Sequence, residues 1–382
     1  MKLGDIRIQL YLQRRPVILA LLAGLAVACF LLVTGLSRAY EDQRDSLGAR
    51  WSSRGVADLN AKRYVTAVID FRAALLYSRE DYSYQLNLAE ALIGMNHLGE
   101  ASAYLLNLRD REPDDGLVNL ELARIAMQQG KNDQAIRYYH DAVYAIWPKD
   151  QEFQRSTARM ELIELLLRLK QEADAQSELL ALEANAGGDA QLQKQIGDFF
   201  ARAGDYQHAL AAYIAALKSD RHDPEALTGA GEAAFILQLY AQAQRYLQAA
   251  VALNPKDAAG AERLKTTQLV LQMDPYRLPI SAAAKSRLVM QAFATAGQRL
   301  QACNAPASSD IAGASVNSDL SREWTDLKPR VTERNLLRDA DIIDSAMDLV
   351  FRIERSTSSD CGAPSGPDLA LLLISKLHGG DS

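Results

Sequence analysis

Positive charge, cysteine and histidine are all scarce in this chain. Its 382 residues include 42 Lys or Arg against 48 Asp or Glu, a net charge of −6. Residues 1–39 carry Lys2, Arg7, Arg14, Arg15 and Arg38 against Asp5 alone, so the rest of the chain holds −10. An acidic body of this kind excludes a protein that tracks nucleic-acid phosphates. The five histidines, His97, His140, His208, His222 and His378, have no metal-ligand spacing. HExxH, GxSxG and GxxxxGK[ST] are all missing, which leaves the common hydrolase and nucleotide chemistries without a carrier. Gly229-Ala-Gly231 lies inside a helical pattern with no strand before it, so it is no dinucleotide turn. No catalytic residue, metal or cofactor is expected.

What is present begins with a long apolar run, PVILALLAGLAVACFLLVTGL, Pro16–Leu36, with no charge in 21 residues. As a helix it spans roughly 31 Å, the thickness of a bilayer core. Basic residues precede it and mixed charges (Glu41, Asp42, Arg44, Asp45) follow. The positive-inside rule then puts residues 1–15 in the cytoplasm and the body outside it, as a single-pass protein of the inner membrane. Two alternatives compete. Ser37-Arg-Ala39 resembles a signal cleavage site, but the run is longer than a signal peptide's apolar region. Ala26-Val-Ala-Cys29 resembles a lipobox, but Phe30–Val33 stay apolar beyond the cysteine. Of three cysteines, Cys29 falls in the run, while export to an oxidising compartment would let Cys303 and Cys361 pair.

With 48% apolar and 24% charged residues, the body has enough apolar content to fold around a core. It also repeats itself. Gly197, Gly204, Tyr206, Ala209 and Ala216 recur 34 residues on as Gly231, Gln238, Tyr240, Ala243 and Ala250, and more weakly 34 residues back. Upstream, Trp51, Gly55, Tyr64, Ala67, Phe71 and Ala74 begin a second block, which continues through Ala89, Leu98 and Ala101 to Ala123, Asn132, Ala135, Tyr139 and Ala142. A six-residue insertion near Pro148–Phe153 separates the two blocks. This period marks stacked helix pairs. Small residues at helix crossings let backbones approach, and aromatic residues fill the surrounding space. Gly130 and Gly204 fall in turns that suit a left-handed backbone, and Asp223-Pro224 reads as a helix start.

The pattern resembles the tetratricopeptide repeat family, with closing prolines at Pro113, Pro148 and Pro255. The resemblance covers 47–257, in units near 48–81, 82–115, 116–149, 156–189, 190–223 and 224–257. It implies an all-α protein: a transmembrane helix (16–36), an α-solenoid of about six helix pairs, a capping helix and linker (258–280), and a small C-terminal helical domain (281–382). Within that last domain, Ser281–Cys303 is amphipathic, a further helical pattern runs from Leu336 to Glu354, and Ser365-x-x-Asp368 resembles a capping box before LALLLISKLH.

In this family the first helix of each pair holds peptide. The resemblance therefore implies a protein or peptide partner in a groove at Leu86, Glu90, Leu120, Arg124, Met127, Gln128, Met160, Glu164, Leu167, Arg168, Lys194, Asp198, Arg202, Glu232 and Phe235. Met127 and Met160 offer adaptable contacts. Arg124, Arg168, Lys194 and Arg202 are expected to pair with an acidic ligand. The Lys and Asn set with which some relatives clamp a C-terminal carboxylate has no match here. The expected function is a membrane-anchored scaffold in secretion, envelope assembly or export, and the alternative is an envelope enzyme or regulator acting through the C-terminal domain.

Overall fold

The computed structural model describes residues 3–304 and 314–378, with side chains from residue 19. Lys2, Arg7, Arg14 and Arg15, on which the expected orientation rests, lie outside the described side chains, as do those of residues 305–317. Among the described residues all regular structure is helical apart from one isolated β-bridge. The chain divides into two compact units, Met1–Leu166 and Leu167–Ser382.

The first helix, α1 (Leu3–Asn60), does not stop where the apolar run ends. It continues into the first helix of the first pair without a linker. From Leu19 its apolar stretch has a mean hydropathy of 2.6 and no protein packed over it. That is long and apolar enough to cross a membrane, a property signal sequences share.

The following helices keep step with the repeat. Second helices begin at Tyr64 (α2, to Tyr77), Leu98 (α4, to Arg111) and Asn132 (α6, to Tyr144) in the first unit, and at Glu172 (α8, to Asn185), Tyr206 (α10, to Ser219) and Tyr240 (α12, to Leu253) in the second. First helices are α3 (Tyr82–Gly94), α5 (Gly116–Gln128), α7 (Glu152–Arg168), α9 (Ala190–Arg202), α11 (Pro224–Ile236) and α13 (Ala258–Met273). Three repeating devices hold this register. Asp81, Asp115, Asp189, Asp223 and Asp257 each cap a first helix by accepting a hydrogen bond from its opening N–H groups, contributing about 1 kcal/mol each. The turn into every second helix passes through a positive φ, at Lys62, Asn96, Gly130, Lys170, Gly204 and Gln238. Gly130 and Gly204 fit that turn as expected; the other four positions hold it without glycine.

The third device is packing. Ala67, Ala101, Ala135, Ala175, Ala209 and Ala243 are wholly buried where helices cross. One turn later, Phe71, Leu105, Tyr139, Leu179, Tyr213 and Leu247 fill the space between helices. Their partners on the first helix are small. A Cβ at Gly55 would lie 2.7 Å from the Phe71 ring, one at Gly197 2.7 Å from Tyr213, and one at Gly231 2.6 Å from Leu247. Glycine inside a helix costs about 1 kcal/mol of propensity, and here contact with a large neighbour replaces it.

The C-terminal part of the second unit is α14 (Ala282–Cys303), α15 (Ala314–Leu327), α16 (Glu333–Leu336), α17 (Ala340–Asp360) and α18 (Gly366–His378). Val289, Ala292, Phe293, Ala296 and Leu300 of α14 are buried along the expected stripe. The pattern read from Leu336 to Glu354 is broken: Thr332 caps α16, and Asp339 starts α17 separately. Helix α15 had no expectation attached to it. It is pinned by Trp324, whose indole donates to the Phe293 carbonyl and covers Gly297. Cys303 and Cys361 stand at disulfide distance, Cα to Cα 5.6 Å, joining the ends of α14 and α17. The α18 helix buries Ala370, Leu371 and Ile374 against α13, α14 and α17. Asp368, expected in a capping box, faces Arg299 at 3.6 Å instead.

Candidate functional site

In the first unit the first-helix face gathers one compact charged network. Arg124, in the third turn of α5, lies between two carboxylates. Its Nε and Nη2 donate to Glu161 at 2.6–3.2 Å, and its Nη1 donates to Glu121 at 2.6 Å. The bonds to Glu161 are the main reason the guanidinium is held even more firmly protonated than usual. Tyr139, buried on α6, donates its hydroxyl to Glu161 at 3.0 Å, and the same oxygen lies 3.8 Å from the Met127 sulfur. Burial first, then the charge of Glu161, pushes the Tyr139 phenol upward. Burial also raises the Glu121 carboxyl, against the pull of Arg124. Glu90, one repeat earlier on α3, is raised by partial desolvation and then by Glu121. Two carboxylates thus hold the guanidinium and Glu90 lies within electrostatic reach of one of them, three acidic groups to one basic, so the patch is acidic.

The expected site residues therefore divide. Glu90, Gln128 and Glu164 are exposed on this face, with Leu86, Met127 and Met160 half-buried beside them. Leu120 is wholly buried and belongs to the core, a correction that follows from its place on the inner side of α5. Arg124, expected to pair with an acidic ligand, already donates to Glu121 and Glu161 of its own chain, and its side chain stays 30% exposed.

The second unit repeats the theme with different partners. Lys194 lies 3.2 Å from Asp223 and 2.6 Å from Glu225, and its side chain is 12% exposed, so it too is spent internally. Asp198 accepts from the Tyr213 hydroxyl at 2.7 Å. Glu232 pairs with Arg263 at 2.8 Å. The Arg263 guanidinium also covers the Phe235 ring at 4.4 Å, and Phe235 is 8% exposed, hence core rather than open surface. Arg202 lies over the Phe199 ring at 5.7 Å. Leu167 is half-buried and Arg168 exposed.

Glu121, Glu161, Tyr139 and Arg263 were not among the expected residues. Their signal was available. Glu121, Glu161 and Arg263 occupy one repeat column, three residues before the column of Glu90, Arg124, Glu164, Asp198 and Glu232, and thus one turn away on the same helix face.

The remaining titratable cluster is interior. Arg299 donates to the Thr357 hydroxyl at 2.9 Å and to the Gly362 carbonyl at 2.8 Å, and it lies 3.7 Å from Glu354. Glu354 has no exposed surface, and burial pushes its carboxyl up to about 8. Among the described residues no group of three or more His, Cys, Asp or Glu is placed to hold a metal.

Solved structures align with this chain at low identity. YrrB, described as a repeat protein with an unusual peptide-binding site, is 20% identical over 50% of this chain and 95% of its own, with a TM-score of 0.41. PilF of Pseudomonas aeruginosa is 15% identical over 59% and 98%, with a TM-score of 0.42. The C-terminal part of a repeat protein of Cytophaga hutchinsonii is 13% identical over 72% and 98%, with a TM-score of 0.39. No curated protein matches the sequence. The tetratricopeptide repeat family model matches residues 86–151 and 195–258. With helix starts spaced by 34 residues on either side of one insertion, and Asp caps and left-handed turns recurring in register, the chain carries tetratricopeptide repeats, which the family model matches over 86–151 and 195–258.

Proposed function

We propose that this protein is a membrane-anchored scaffold that holds a segment of a partner protein on its first-helix face. Its place is the extracytoplasmic side of the inner membrane, in a secretion, envelope-assembly or export complex. The observation that carries this reading is the network around Arg124. Glu121 and Glu161 both engage a single cation there, with Glu90 adding a further carboxylate next to Glu121, beside half-buried Met127 and Met160. Such a patch favours a cationic, partly apolar segment. The acidic partner expected from the basic residues alone is disfavoured, because Arg124 and Lys194 are occupied.

Several features support the anchor and its direction. Leu19–Leu36 present apolar side chains with no protein covering them. Basic residues precede the run and the body is acidic. The pairing of Cys303 with Cys361 suits an oxidising compartment. Action by binding rather than catalysis is favoured over an enzyme in the C-terminal domain, since its strongly shifted carboxylate, Glu354, has no exposed surface through which a substrate could reach it.

A photo-crosslinking residue at Met160, compared with exposed Arg137 on α6, tests this in intact cells. One defined envelope protein captured at Met160 but not at Arg137, and lost on Glu90→Lys, is expected. Equal yields at the two positions, or none at Met160, would overturn the reading.

A further inference from the structure

The end of the third repeat, where it runs into the six-residue insertion, builds a feature that the groove does not explain. Ala145–Pro148 runs extended beside the loop that precedes α5, where the Ile146 N–H donates to the Asp114 carbonyl at 3.3 Å. Trp147 turns inward, donates its indole N–H to the Ala142 carbonyl at 2.8 Å, and lies flat on Gly116, where a Cβ would meet the ring at 2.3 Å. Between this strap and the openings of α3 and α5 lies a cavity of about 660 Å³. Its floor is apolar: Leu86, Leu117, Trp147 and, 79% exposed, Ile146. Its rim carries Glu112 and Asp114, both exposed, and no Lys, Arg or His lines it.

Two electrostatic influences compete here. The helix openings favour anions, but their N–H groups are already taken, by Asp81 from Tyr84 and by Asp115 from Val118. Asp115 also accepts from the Tyr82 hydroxyl. The free carboxylates on the rim then set the sign. We propose that this cavity is a second docking site, which takes a Lys or Arg side chain flanked by an apolar residue from a partner protein. The aliphatic stem lies along Ile146 and Leu86, and the cationic head meets Glu112 and Asp114. An exposed isoleucine on an apolar floor asks for cover, and the charge of the rim selects a cationic occupant. Only Leu86 is shared with the first-helix face.

The test uses the full chain in detergent micelles labelled with fluorotryptophan, which gives one fluorine signal each for Trp51, Trp147 and Trp324. The probe is the capped peptide Gly-Leu-Lys-Leu-Gly, with acetyl-lysine and glutamate versions alongside. Expected is a shift of the Trp147 signal alone with the lysine peptide. The dissociation constant should rise about fivefold for Glu112→Gln combined with Asp114→Asn, the size of one to two rim ion pairs. Glu90→Gln, on the groove, should leave that titration unchanged, which separates this site from the proposed function. Equal binding of the acetyl-lysine peptide, preference for the glutamate peptide, or no Trp147 response up to about 10 mM would each overturn the proposal.

Discussion

Replacing Gly229 with alanine should destabilise a helix that alanine normally strengthens. In the middle of α11, Gly→Ala gains about 1 kcal/mol of helix propensity. The Tyr213 ring opposes that gain. A Cβ at position 229 would lie 2.4 Å from its Cζ and 2.6 Å from its Cε1, roughly 1 Å inside ordinary contact. The ring has little room to retreat. It is 4% exposed, touches Gly197 on α9, and is tied by its hydroxyl to Asp198. Overpacking of this kind costs about 1–3 kcal/mol, so the net effect of Gly229→Ala is a loss of about 1 kcal/mol. Tyr213→Leu places the residue found in the same column at Leu105, Leu179 and Leu247 and removes the atoms that collide. In that background Gly229→Ala should stabilise by up to about 1 kcal/mol, a coupling of about 2 kcal/mol. Hydrogen exchange by mass spectrometry across residues 190–236, in rising urea, reads the opening free energy of this segment directly. If Gly229→Ala stabilises the unaltered protein, or the coupling falls below about 0.5 kcal/mol, the ring moves aside freely and the packing argument fails.

Three further outcomes can be checked in the same way. Lys170→Gly and Gln238→Gly, at positive φ, should each raise stability by about 0.5–1 kcal/mol, since relief of the left-handed cost of about 1–2 kcal/mol exceeds the entropy that glycine adds to the unfolded chain; urea midpoints would show it, and a fall would refute it. Glu354 is pushed up to about 8 by burial, against an ordinary 4.5. Between those values the folded state keeps a proton that the unfolded state has released, so stability is full below the lower value and falls as pH rises through the upper one. Glu354→Gln should flatten that decline in melting temperature between about pH 5 and 8. Reduction of Cys303–Cys361, 58 residues apart in sequence, should cost about 4 kcal/mol by loop entropy and raise exchange in α14 and α17 more than in α3–α6.

Much of the fold was legible because a helix face is written along the chain. The 34-residue spacing of small and aromatic residues gave the helix pairs, the insertion and the buried columns, down to Ala67, Ala101 and Ala135. Asp223-Pro224 gave its helix start through a local cap. What crosses between helices was harder. Tyr139 sends its hydroxyl forward to Glu161, whereas Tyr213, in the same column, sends its own back to Asp198 and leans its ring on Gly229. Two tyrosines in one column thus do different things, and no period along the sequence distinguishes them. The basic residues misled for the same reason: Arg124 and Lys194 look available in the sequence, and their neighbours in space consume them. Helix α15 carries few apolar residues and is held across helices, by Trp324 reaching α14, buried Leu320 and the Glu323–Arg352 pair to α17. The cavity beside Trp147 lies at the insertion, the one place where the register gives no guidance.

The unbroken course of α1 turns residue count into bearing. With no hinge between Leu36 and the first repeat, each residue added to 37–46 lifts that repeat by about 1.5 Å and swings it by about 100°. Two added residues would point its face almost the opposite way. Seven would raise it by about 10 Å and return it to nearly the same heading. The length of this stretch is therefore a compass setting, which fixes the heading of the first repeat relative to the apolar stretch before it.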